Sequence, residues 1–116
     1  MSVLIVDDHP SFRASVRRVL EADGFNVVGE AADGREAIAA AQRLKPDLVL
    51  LNVQLPDLDG FEVAARLAAS DLDSVVVLTS TRAAAEYAPL LTASPARAFI
   101  PKAELSGAVL ADLLSG

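Results

Sequence analysis

Residues Leu48-Val49-Leu50-Leu51 are apolar without a break and stop at a single amide, Asn52. A run this short and continuous reads as a strand buried on both faces, the pattern expected at the centre of a parallel sheet. Open sheets of that kind bind ligands just beyond the carboxyl ends of their strands. Asn52, and the loop after it that carries Pro56 and closes on Asp59-Gly60, therefore stand where chemistry is expected.

The rest of the chain supplies partners for that strand. Residues 3–6 form a similar run, ended by Asp7-Asp8-His9-Pro10. Pro10 suits a first helical turn; Phe12, Val16, Val19 and Leu20 recur at helical spacing; Gly24 is a candidate C-cap. A second strand is expected over 25–29. Asp33-Gly34 marks a turn before a helix running to Lys45, and Pro46 separates that helix from the central strand at 48–52. A third helix follows Gly60, and the fourth strand is expected over 74–79. Segment 82–94 is Ala-rich, but Pro89 in a helix interior costs about 3 kcal/mol, which predicts a broken, short or mobile fourth helix. A fifth strand over 98–100, then Pro101-Lys102 and a helix over 105–114, complete the pattern. Strands alternating with helices in units of about 20 residues require crossover connections and a parallel sheet. The expected fold is α/β, a flavodoxin-like (βα)5 three-layer sandwich with strand order 2-1-3-4-5, and residues 1–116 form one domain.

Composition narrows the function. There is no cysteine, which removes disulfides, thiolate metal sites and cysteine nucleophiles. No apolar run approaches a membrane span, and no basic leader precedes residue 3, so a cytoplasmic location and no membrane partner are expected. A net charge of −6 disfavours direct nucleic-acid binding, which needs clustered Lys and Arg. The densest basic group, Arg13, Arg17 and Arg18, reads as a solvated helix face. With the last helix running almost to residue 116, no effector element is expected in this chain.

The strand ends deliver a specific set: Asp7 and Asp8 from the first, Asn52 from the third, Thr79 and Ser80 from the fourth, Lys102 after the fifth. Adjacent carboxylates call for a counter-charge, and a hard cation such as Mg²⁺ suits them. A hydroxyl and an ammonium facing that metal suit phosphoryl oxygens. The bland readings are an N-capping Asp8, a loop His9 that binds no metal, and Ser80 and Thr81 capping helix four.

The acid pair Asp7-Asp8, the loop Leu55-Pro56-Asp57-Leu58-Asp59-Gly60, Thr79 after an apolar strand and Pro101-Lys102 after Phe99 together resemble the receiver domain of two-component response regulators, over essentially the whole chain. The resemblance implies that Asp8 ligates Mg²⁺, that Asp7 ligates through water or orients the site, and that the Gln54 backbone carbonyl is a third metal contact. It implies that Thr79 and Lys102 hold the phosphoryl group and that Thr79 and Phe99 form a switch pair, although Phe99 reads equally well as static core. It further implies a sensor histidine kinase or phosphotransfer protein upstream and an effector downstream. Output would pass through the face of helix four, strand five and helix five, which would also serve a homodimer.

The departure is Asn52, which stands where the family carries its phospho-accepting aspartate. A carboxylate oxygen attacks phosphorus; a neutral amide is a far weaker nucleophile. Phosphorylation at position 52 is expected to be absent and Mg²⁺ binding weak; the bland reading of Asn52 is a structural amide hydrogen-bonded to Lys102. The chain is thus expected to be a signalling module and no enzyme. The alternative is a phosphorylation-independent interaction scaffold with a vestigial acidic pocket. A phosphoryl-accepting enzyme of the haloacid dehalogenase type is disfavoured by Asn52, and a flavin-binding module by Asp7-Asp8, which would repel a phosphate.

Overall fold

Side-chain alternation along the strands builds two cores. In the computed structural model, which describes residues 1–115, Leu4 and Val6 of β1 (Ser2–Val6) face one side of the sheet while Val3 and Ile5 face the other. Every residue of β3 (Leu48–Asn52) is buried, as a strand covered on both faces must be. With β2 (Asn26–Ala31), β4 (Val75–Ser80) and β5 (Ala98–Pro101) these strands make a wholly parallel sheet in the order 2-1-3-4-5, as expected.

Five helices cover the two faces. Val16 and Leu20 of α1 (Pro10–Ala22) and Leu110 of α5 (Gly107–Ser115) pack on Val3, Ile5, Leu48 and Leu50. The opposite face is covered by α2 (Gly34–Leu44) and α3 (Gly60–Ala69) through Ala37, Ala41, Val63 and Leu67, with Tyr87 and Leu91 beside them. Local chemistry sets the helix ends. Gly24, after α1, has φ +91°, a left-handed conformation that glycine adopts without cost. Asp33 and Asp59 accept from the backbone N–H of Glu36 and Glu62 at 2.8 Å each, capping α2 and α3. Ser106 does the same for α5 through Val109 at 3.1 Å.

The fourth connection is broken and short, as its Pro89 predicts. A 3₁₀ turn at Ala84–Tyr87 leads into a short α4 at Ala88–Ala93, so Pro89 falls in the first helical turn, where its missing N–H costs nothing. Likewise the segment after β5 opens with a 3₁₀ turn at Lys102–Glu104 before α5 begins.

Candidate functional site

Strand register assembles the site. Val6 lies beside Leu51, and Asn52 beside Thr79, so β1, β3 and β4 bring their carboxyl ends to one edge of the sheet. Asp7, one residue beyond β1, is completely buried. Its Oδ2 accepts from Lys102 Nζ at 2.6 Å, and its Oδ1 accepts from the His9 backbone N–H at 2.8 Å and lies 3.0 Å from His9 Nδ1. Its backbone is gripped as well: the N–H donates to Ala31 O at 3.0 Å, and the carbonyl accepts from Arg13 Nη1 at 2.6 Å.

Lys102 is nearly buried, and its ammonium sits 3.9 Å from the centroid of the Phe12 ring. A cation stripped of water gains from an aromatic face as well as from its carboxylate. The bland reading of Asn52 pairs its amide with this lysine. Lys102 goes to Asp7 instead, because a charged acceptor outcompetes a neutral amide for an ammonium in a desolvated site. Asp8 is more exposed, with Oδ1 3.2 Å from His9 Nδ1, so the imidazole lies between the two acids. Ligand-type atoms of Asp7, Asp8 and His9 lie within 4.8 Å of one another.

Asn52 is buried and turns its amide into the following loop: Nδ2 donates to the Gln54 carbonyl oxygen at 2.7 Å. Gly60 lets α3 start directly against this segment. Its N–H donates to Val53 O at 2.7 Å, and a Cβ placed there would come within 2.6 Å of the Asn52 carbonyl oxygen. The Gln54 side chain, with its amide oxygen turned toward Arg82, accepts from Nε and Nη2 at 3.2 Å each. Thr79, fully buried, donates its hydroxyl to Ile100 O on β5 at 2.7 Å.

Phe99 is half-buried on β5, and its ring stacks at a tilt 5.8 Å from that of Tyr87, which meets Phe61 at 5.6 Å on its other side. Tyr87 also holds a hydrogen bond with Ser80 Oγ at 3.1 Å, and Ser80 Oγ accepts from the Arg82 N–H at 3.1 Å. Sequence reading passed over Tyr87; its signal was being the single tyrosine of the chain, inside a stretch otherwise rich in alanine. The solvated face expected of Arg13, Arg17 and Arg18 is corrected by the structure. Arg13 and Arg17 clamp Glu30 of β2 at 3.0 and 2.7 Å, so two of the three basic residues on α1 are engaged with the sheet and do not form a free solvated face.

Two carboxylates near the site are held below the ordinary range. Burial pushes Glu30 up, and the hydrogen bonds from Arg17 and Arg13 outweigh it; the same bond to Glu30 raises Arg17. Burial likewise pushes Asp57 up, against N–H bonds from Gly34, Arg35 and Leu58 at 2.7, 3.0 and 2.7 Å that bring it down. Asp57 thereby fastens the loop after β3 to the positive end of α2.

Asp7, Asp8 and the Gln54 carbonyl offer hard oxygens of the kind Mg²⁺ takes, so the donor set fits such an ion. None of the helices among the described residues is long and apolar enough to cross a membrane.

A family model for the response regulator receiver domain matches residues 3–113. A Pseudomonas aeruginosa protein named for transcriptional regulation is 44% identical over 102 residues, which is 88% of this chain and 49% of that protein. Response regulator GacA of Pseudomonas viridiflava is 35% identical over 113 residues, 97% of this chain and 51% of that protein. The chain thus spans about half the length of the curated relatives it matches. Among solved structures, the signal receiver domain of the Mycobacterium tuberculosis response regulator NarL is similar with a TM-score of 0.85 and 36% identity, covering 99% of this chain and 97% of that one. Because the match reaches every strand of the sheet and the elements that carry its tips, the chain belongs to the response regulator receiver domains of two-component signalling.

Proposed function

We propose that this receiver signals without accepting a phosphoryl group at position 52, and that it regulates a partner through the face built by α4, β5 and α5. The observation that carries the reading is Asn52 itself, an amide at the buried tip of the central strand, hydrogen-bonded into its own loop. An acyl phosphate forms when a carboxylate oxygen attacks phosphorus. The amide oxygen of Asn52 has neither the charge nor the basicity for that step.

Receiver domains bind Mg²⁺ through acidic residues, and the acidic cluster of this chain is Asp7 and Asp8 with His9 beside them. Asp8 and the Gln54 carbonyl would hold the ion, with Asp7 orienting it. Bound there, Mg²⁺ supplies positive charge to phosphoryl oxygens. Lys102 would add its ammonium, and the Thr79 hydroxyl would donate only after leaving Ile100 O. With one carboxylate replaced by an amide, the ion is held weakly. The upstream partner is a sensor histidine kinase or phosphotransfer protein, and the downstream one an effector protein or domain, with no nucleic acid bound by residues 1–116 themselves. Thr79 and Phe99 serve as the responsive pair, and a homodimer through the α4-β5-α5 face fits the same surface. The domain works in the cytoplasm and is not an enzyme.

A second reading, a scaffold whose pocket takes no ligand, is favoured by the Asp7–Lys102 pair, which balances the buried acid without any ion. Acetyl phosphate with Mg²⁺, followed by intact mass, tests the first. The native chain is expected to stay unmodified and Asn52→Asp to gain one phosphoryl group. An unmodified Asn52→Asp protein overturns the assignment of the site.

A further inference from the structure

The geometry points to Asn52 as an internal clasp that closes the candidate Mg²⁺ site by occupying the Gln54 carbonyl, so that its donor N–H, and not only its missing charge, opposes the metal. This inference rests on the reading of Asp8 and the Gln54 carbonyl as metal contacts, and it assigns Asn52 an active part in regulating that site.

The carbonyl oxygen that would contact the ion accepts Asn52 Nδ2 at 2.7 Å. A carbonyl has a second lone pair, but a cation placed on it would face the positively polarised Nδ2 hydrogens at close range. The amide cannot retreat with its backbone. β3 is paired on both sides, and α3 begins against the Asn52 carbonyl, with Gly60 donating to Val53 O at 2.7 Å. Opening the clasp therefore means rotating the Asn52 side chain and losing its hydrogen bond. An aspartate at the same position has no N–H and would repel the carbonyl, leaving the loop free to turn its oxygen toward an ion. Nor does Lys102 compete for Asn52, since it is committed to Asp7 at 2.6 Å.

The clasp makes an expectation opposite to that of a simple missing ligand. If Asn52 merely supplied a poor oxygen, truncating it would weaken Mg²⁺ binding or leave it unchanged. If its N–H blocks the carbonyl, Asn52→Ala binds Mg²⁺ more tightly than the native chain by about three- to tenfold, the equivalent of one exchanged hydrogen bond. Asn52→Asp binds tighter still because it adds charge. The measurement is an Mg²⁺ titration of all three proteins, followed by backbone amide NMR of Asp8 and Leu55.

Tightening in Asn52→Ala supports the clasp. Asn52→Ala that binds no better than native, beside an Asn52→Asp that does bind, overturns the clasp and leaves the metal site standing. Failure of Asn52→Asp to bind overturns the metal site and the clasp with it. Should Asn52→Ala not fold, the side-chain NH₂ of the native Asn52 reads the same event: its bonded proton should move upfield and exchange faster in step with Mg²⁺ occupancy. A proton unmoved at saturation overturns the proposal.

Discussion

Asp7 is a carboxylate with no access to water, and the donors that meet its two oxygens make that tolerable. Lys102, the His9 backbone N–H and the His9 ring take its two oxygens. Breaking a buried pair by removing one partner costs about 3–5 kcal/mol, because the other charge stays behind uncompensated. Lys102→Met keeps the apolar stem against Phe12 while removing the ammonium, and is expected to lower stability by that amount in urea unfolding. Adding Asp7→Asn to it should recover most of the loss. A Lys102→Met protein as stable as the native one would show that the pair contributes nothing. Asp7 and Lys102 were legible from sequence because strand tips in a parallel sheet all point to one edge, so residues distant in the chain could be placed together. The choice of partner was not legible. Whether Lys102 bonds Asn52 or Asp7 depends on burial and on the Phe12 ring, neither of which a motif records.

At the level of elements, the start of α3 decides where Asn52 can stand. A methyl group at Gly60 would sit 2.6 Å from the Asn52 carbonyl oxygen and 2.9 Å from Val53 Cα, both backbone atoms that cannot rotate aside. Gly60→Ala is expected to cost about 1–3 kcal/mol, as overpacking does. It should also shift the NMR signals of Asn52 and Gln54 more than those of the distant α1. The β3 and α3 elements were readable because an unbroken apolar run and an Asp-Gly capping pair leave little choice. The α4 region was only half readable. Pro89 warned of a break, but a proline marks the beginning of a helix as readily as its interruption, and only packing decides which. Tyr87 sets that boundary by placing its ring between Phe61 and Phe99 and its hydroxyl on Ser80.

Taken whole, the molecule is a sheet with two cores, held at its active edge by polar contacts that titrate. Glu30 and Asp57 are both held below their ordinary values in the fold. Each therefore contributes stability that is complete above the unfolded carboxylate value, near pH 4 or roughly so, and is lost as pH falls through the lower folded value. The melting temperature is expected to drop on acidification, and to drop less steeply in Asp57→Asn, which cannot titrate there; equal slopes for the two proteins would rule the contribution out. The overall topology was legible because right-handed crossovers leave few arrangements for alternating strands and helices. What composition hid was how the net charge is distributed: arginines of α1 grip β2 and the backbone of Asp7, although the chain as a whole is acidic.

The Asp7–Lys102 contact joins residues 95 positions apart. During synthesis the acid leaves the ribosome long before its counter-ion exists, and nascent β1 can be sealed in only after the fifth strand arrives. A ribosome stalled just short of Lys102 would thus hold a chain with nearly all of its sheet-forming residues and a carboxylate still drawing water inward, open to proteases that the finished domain resists.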